Sequence, residues 1–430
     1  RGIWSSGWPN TCSIRRCGMF RHACGCAAVM CLCVSRAFAA PDCVECHTRV
    51  TPDIVLDWKA SKHAGASIGC GACHGTEHAG ARDADKASIP TQAVCGKCHA
   101  KQSGRYLKGK HARAWEAMKA MPTVHRQAQT LIDGMLGCGG CHKIGVKPES
   151  EIRGLGRKRG GYGMTACNAC HTRHRFSVQE ARQPQACQTC HMGFDHPQWE
   201  MYSGSKHGVR YLLQQNKVLA EGLQAPSCQM CHMKEGDHMV RTAWGFLAVR
   251  LPMPQDEQWA ADRAVILRAL GVIDAAGKTT PRFEAVKIID AVRLTQEDWQ
   301  QERDRMIKTC SQCHSGRFVK TRFEKNDQMI READRLMAEA VTIVGGLYED
   351  GILKDPAGGT TGYPDLLAFH DVSSAIEQKL FRMFAEYRMR AFQGAFHNNP
   401  DYTFWYGWSA MQQALTEIRE TAARMRKEKR

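Results

Sequence analysis

The chain has 430 residues, a formal net charge of +16, 43% hydrophobic and 24% charged residues, and 22 cysteines. That length allows one large domain or two to three ordinary ones, and the composition excludes a disordered or collagen-like polymer and a small disulfide-stapled scaffold. The basic residues form neither a stripe nor a recognised recognition module, so no nucleic-acid partner is expected.

Six cysteines, Cys12, Cys17, Cys24, Cys26, Cys31 and Cys33, fall in the first 33 residues. From Met19 the chain runs through a basic start and an apolar stretch to a small-residue exit at Ala37-Phe38-Ala39. Residues 1–40 are therefore expected to be a secretory leader, removed near Ala39 or Ala40, with the remainder periplasmic or in an equivalent extracytoplasmic compartment. A retained anchor is the weaker reading, because the apolar core Ala23 to Val34 falls short of the roughly 20 residues of a spanning helix. Loss of the five arginines in residues 1–40, a stretch without acids, lowers the charge to +11.

The other sixteen cysteines form eight CxxCH motifs: Cys43/Cys46/His47, Cys70/Cys73/His74, Cys95/Cys98/His99 and Cys138/Cys141/His142, then Cys167/Cys170/His171, Cys187/Cys190/His191, Cys228/Cys231/His232 and Cys310/Cys313/His314. A histidine directly after each cysteine pair argues against four-ligand zinc clusters. It is the arrangement in which two thiols form thioethers to a porphyrin and the histidine ligates its iron. Eight covalent c-type haems are expected.

Ten histidines outside residues 1–40 remain for the distal faces: His63, His78, His111, His125, His174, His196, His207, His238, His370 and His397. Eight would close every iron, and seven would leave one open for catalysis. His63 and His207 share the context Ser-Lys-His, and His78 and His174 closely follow proximal histidines; these four and His111 are the strongest distal candidates. His125, His196, His370 and His397 are closer decisions. His238 follows Asp237, and an acidic neighbour suits proton transfer.

Seven motifs crowd residues 43–232, and 82 residues separate the seventh from the eighth. The expected fold is mainly α. After the leader, residues 41–240 form a haem-packed part with little conventional core, and 241–430 a helical part that carries the eighth haem. Leu155–Met164 is glycine-rich and expected as a loop. Helical periodicity marks about 258–270, 283–309, 327–345, 374–393 and 400–427. Ser374 with Glu377 forms a capping box, Asn399-Pro400 an N-cap followed by an N1 proline, and Gly351–Pro364 a connection.

The eight motifs in this order, the wide gap before the last, Gly236-Asp237-His238 and the segment Asn399-Pro400-Asp401-Tyr402-Thr403-Phe404-Trp405-Tyr406-Gly407-Trp408 resemble the octahaem hydroxylamine oxidoreductase family, which includes hydrazine dehydrogenases. The resemblance covers residues 41–430. It implies catalysis at the fourth haem, on Cys138, Cys141 and His142, with seven bis-histidine relays. It implies a homotrimer in which a tyrosine of a neighbouring subunit, Tyr402 or Tyr406 with Tyr402 preferred, is attached to that haem as a P460 cofactor. Asp237-His238 would then be the acid–base pair, the substrate hydroxylamine, the product nitric oxide or nitrite, and the electron acceptor a c-type cytochrome. Hydrazine oxidation to dinitrogen, reduction of nitrite or hydroxylamine, and a non-catalytic electron conduit are the alternatives.

Overall fold

The computed structural model describes residues 42–121, 124, 128, 136–159, 166–241, 251–288, 295–354, 362–368 and 371–430. The expected leader and the candidate ligands His125 and His370 lie outside the described residues. Pro41–Arg430 cluster as one compact unit. Among the described residues the secondary structure is helical, with one isolated bridge between Ile273 and Thr279.

The motif-rich half is built of short helices that cannot stabilise themselves. Cys43–Val50, Gly71–His74, Gln92–Gly96, Gln185–Gln188 and Cys228–His232 carry motif residues, yet none has a buried residue. Helices this short are marginal in water unless a packed face supports them. Local signals still set their starts. Asp42 accepts from Val44 N–H and Ser227 from Met230 N–H. The repeated Ser-Lys-His pattern acquires a cause here. Ser61 caps Lys62–Gly65 and Ser205 caps Lys206–Gln215, so His63 and His207 both sit in the first turn of a helix. The apolar clusters in this half are small, such as Trp115, Met118 and Val124, or Tyr202, Tyr211 and Ala225.

The second half has an ordinary apolar core. It comprises α1 (Glu257–Ala269), α2 (Gln296–Cys310) and α3 (Gly316–Glu349), then α4, which runs through Ala375–Arg382, a π-helical turn Met383–Arg388 and Met389–Phe396. The last, α5, runs through Pro400–Thr403, a π-helical turn Phe404–Ser409 and Ala410–Lys429. At 34 residues α3 is roughly 51 Å long. Its buried stripe Ile330, Met337, Val341 and Val344 packs with Leu380, Phe384 and Phe392 of α4 and Met411, Leu415 and Ile418 of α5. A Cβ on Gly407 would come within 2.5 Å of the Ala391 backbone, so the absence of a side chain lets α5 approach α4.

Both predicted caps form: Ser374 accepts from Glu377 N–H, and Asn399 accepts from Tyr402 N–H ahead of Pro400. Three expectations change. The helix expected at 327–345 begins at Gly316, because Ser315 caps it. The stretch expected at 283–309 is described as Pro281–Ile288 and α2. Finally, Leu155 does not open a loop, since Glu149–Arg159 is helical through Gly154 and Gly156; residues 160–164 of that stretch lie outside the described residues.

Candidate haem-lined redox site

All sixteen described histidines line one continuous cavity of about 3230 Å³ within this unit. Six proximal histidines face a second histidine across it, at ring-centre distances of 6.1 Å for His47–His78, 6.1 Å for His99–His63 and 6.2 Å for His74–His174. The others are 6.3 Å for His171–His238, 6.0 Å for His191–His111 and 6.0 Å for His314–His207. With metal–imidazole bonds of about 2 Å, two rings facing across one iron have centres roughly 6 Å apart. The histidines present therefore fit bis-histidine haems.

Hydrogen bonds on the other ring nitrogen agree. His74 Nδ1 donates to Ser88 O (2.9 Å), His142 to Ala114 O (2.7 Å), His232 to Arg241 O (3.2 Å) and His397 to Gln393 O (2.9 Å). Such bonds fix the tautomer and leave Nε2 for a metal. For the seventh motif, His397 is partly buried beside His232 and His207, and His207 already faces His314. Among the described histidines, His397 is thus the one left for His232.

The fourth motif is different. Burial lowers the pKa of His142 although the Ala114 carbonyl opposes this, and the histidine whose charge acts on it is His196. His196 Nδ1 is hydrogen-bonded to the Asp195 carboxylate. Burial opposes a charge on His196, but that bond and the Asp195 charge outweigh it and raise its pKa. The His196 ring also lies 6.3 Å from His191, which already faces His111. Two lysines give this corner positive charge. Lys143 is close to Cys141, Cys190 and Arg173, while Lys147 donates to Gly145 O (2.8 Å), lies 4.7 Å from the Trp115 ring centre and is brought down to about 8 by burial.

The structure does not bring Asp237 and His238 together as an acid–base pair. Both Asp237 oxygens are taken by Arg105, at 2.8 and 2.5 Å, and the carboxyl is held down at about 2, chiefly by that bond. His238 Nδ1 donates to Gly236 O (2.7 Å), and its ring faces His171 at the fifth motif. His196, expected as a distal ligand, instead has the carboxylate partner and the place beside His142. Both sites carry Asp-His in sequence, so sequence proximity could not separate them. The choice depends on Arg105, which lies 132 residues from Asp237.

Thiols of different motifs are neighbours throughout. Cys43 is near Cys70, Cys73 near Cys95, and Cys170 near Cys187. Cys95 is near Cys167, Cys141 near Cys190 and Cys187 near Cys228, while Cys231 is near Cys310. The motifs thus follow one another in space as first, second, third, fifth, sixth, seventh and eighth, with the fourth joined at the sixth.

Two of the expected attachment residues are placed differently from the rest. Fourteen of the sixteen motif cysteines line the cavity, but Cys46 and Cys313 do not, although Cys43 and Cys310 of the same motifs do. Cys46 and Cys313 are the second thiols of the first and eighth motifs, the two ends of the row. An end motif has a neighbouring motif on one side only, so one of its thiols can fall outside the shared wall. Cys46 is half-buried there and Cys313 is exposed. For these two, the thioether assignment therefore rests on the contiguous CxxCH sequence and not on the cavity lining.

Tyr402 and Tyr406 stand apart on α5, their rings 5.0 Å from each other, and neither lines the cavity. Tyr402 is partly buried, whereas Tyr406 is 52% and Trp405 63% exposed.

Helical structure wrapped around CxxCH motifs, with opposed histidines, defines a multihaem c-type cytochrome. The chain matches the family described as "Seven times multi-haem cytochrome CxxCH" over residues 39–263 and 279–363, and it belongs to that family. It is 28% identical to a "Probable nitrite reductase-hydroxylamine oxidoreductase fusion protein" of Kuenenia stuttgartiensis, a match covering 90% of this chain and 52% of the relative. The chain thus spans about half the length of that curated relative. Among solved structures it resembles a chain of the Kuenenia stuttgartiensis reducing HAO-like protein complex, with 26% identity, TM-score 0.68, and coverage of 90% of this chain and 85% of that one. A "Hypothetical multiheme protein", 22% identical with TM-score 0.63, covers 90% of this chain and 95% of its own, and shares the fold.

Proposed function

We propose that this cytochrome is a redox enzyme for small nitrogen compounds, acting at the fourth motif, and that it oxidises hydroxylamine to nitric oxide or nitrite. The observation carrying this reading is the Asp195–His196 pair beside His142, whereas six other proximal histidines each face a histidine at iron-spanning distance. Haem iron with one open axial position supplies coordination of a small nitrogen ligand and one-electron steps. His196 is the proton acceptor, and Asp195 orients its ring and stabilises its charged form. Oxidation of hydroxylamine to nitric oxide releases three electrons and three protons; with water, nitrite formation releases four electrons and five protons. The paired histidines of the remaining seven motifs hold electron-carrying sites, which brings the proposed haem count to eight. His238 is assigned to the fifth motif as a distal ligand.

The exposed Tyr406, flanked by exposed Trp405 and Phe404, supports a tyrosine offered to a neighbouring copy, as a homotrimeric P460 enzyme requires. Its exposure favours Tyr406 over Tyr402 for the crosslink. A periplasmic location and a c-type cytochrome acceptor belong to the same proposal. The test is the P460 absorption and a tyrosine-linked haem peptide from purified protein, with hydroxylamine and hydrazine turnover. Absence of the adduct, together with turnover only from reductants toward nitrite, sinks the oxidative direction. That second, reductive reading is favoured by the likeness to the reducing HAO-like complex and by Lys143, Lys147 and Arg173 near the fourth motif, a setting that suits an anion such as nitrite.

A further inference from the structure

Among the described histidines, only two hydrogen-bond a carboxylate. One is His196. The other is His78, which faces His47 at the first motif, with Nδ1 3.0 Å from Asp83 Oδ1. The remaining described partners of ring nitrogens at the motifs are backbone carbonyls or neutral side chains, such as Thr51 (2.7 Å) on His47 and Gln198 (3.3 Å) on His191. The Asp83 carboxylate is positioned with care. Gly80 N–H donates to Oδ1 at 2.8 Å, and Ala79 N–H lies 3.1 and 3.2 Å from the two oxygens. Its side chain is 23% exposed, and its nearest cation, Lys86, is 3.9 Å away and more than half exposed. That lysine is too solvated to cancel the charge delivered to His78.

We infer that Asp83 is a positioning residue that lowers the reduction potential of the first haem site by acting through His78. An anionic hydrogen-bond acceptor makes the imidazole a stronger donor, and a stronger donor favours the oxidised, more positive iron. The change concerns one electron; the Nδ1 proton stays in the His78–Asp83 bond throughout. The first motif is also a terminal link of the row, its Cys43 thiol lying beside Cys70 of the second motif. A depressed potential there makes this end a source of electrons for the chain rather than their final store. The inference rests on haem ligation by His47 and His78 and is independent of which nitrogen compound is converted.

The experiment is a spectroelectrochemical titration of the full haem-loaded protein, in which His78→Met identifies the component belonging to the first motif. Asp83→Asn keeps an oxygen for the three hydrogen bonds and removes the charge. It is expected to shift the reduction equilibrium of that component about tenfold toward the reduced form, about 59 mV for a one-electron couple, with the low-spin signature retained. Thr51→Val, which removes a neutral bond on the opposite ligand of the same iron, is expected to move it much less. An unmoved potential in Asp83→Asn, or an equal shift in Thr51→Val, overturns the inference. Loss of the low-spin signature in Asp83→Asn also overturns it, by showing that Asp83 merely holds the ligand in place. Turnover is not a readout, so failure here leaves the substrate reading standing, and failure of that reading leaves this one intact.

Discussion

Removing the Asp334 carboxylate is expected to destabilise the whole protein. Asp334 is 0% exposed in the middle of α3, and Arg388 of α4, 1% exposed, donates to it at 3.0 and 2.7 Å. Trp259 Nε1 of α1 donates at 2.9 Å, and buried Arg263 lies 3.7 Å away. One carboxylate therefore ties three helices together and offsets two buried guanidinium groups. Asp334→Ala removes this opposing charge from both, which costs about 3–5 kcal/mol. With an unfolding entropy near 2.1 cal/mol/K per residue, a unit of about 390 residues has an entropy of roughly 0.8 kcal/mol/K, and Tm falls by about 4–6 °C. Scanning calorimetry on preparations of matched haem content measures the shift. Adding Arg388→Met should recover part of the loss by removing one stranded charge. An unchanged Tm in the single variant, or a deeper loss in the double variant, refutes the reasoning.

At the fourth motif, Asp195→Asn is expected to cut turnover about 10²–10³-fold. Because the carboxylate stabilises protonated His196, its loss lowers that pKa, so the acid limb of kcat/KM should move to lower pH even as the plateau falls; a fixed limb counts against His196 as the base. His238→Ala should create a new high-spin iron signal at the fifth motif while the acid limb stays in place. His196→Ala should abolish the limb without creating such a signal, and the opposite outcome would restore Asp237-His238 as the acid–base pair. Tyr406→Phe is expected to remove the P460 band, Tyr402→Phe to leave it, and peptide mapping of both variants decides between the two rings.

Much of the site was readable before folding was considered, because thioether attachment requires its residues side by side. CxxCH is contiguous, so sixteen cysteines and eight proximal histidines declare themselves. What contiguity does not reveal is which thiols share the cavity wall, and Cys46 and Cys313 at the ends of the row fall outside it. Caps are equally local: Ser374, Asn399 and the two Ser-Lys-His helices start where their side chains dictate. The distal pairings were not readable. His63 faces His99, His74 faces His174, and His207 faces His314, and no spacing rule links them.

The Asp-His ambiguity shows the same division. Asp237-His238 and Asp195-His196 are the same dipeptide, and sequence alone weighed the first as catalytic. Folding brings Arg105 to Asp237 and His171 to His238, while Asp195 keeps its bond to His196 beside His142. Covalent attachment and helix starts depend on residues within a few positions of each other, so the sequence by itself determined the haem-binding chemistry and the mainly helical fold. Opposed imidazoles, the partner of each carboxylate and the exposure of Tyr406 depend on segments distant in the chain, so only the tertiary structure decided which histidines face one another and which one keeps a carboxylate partner near His142.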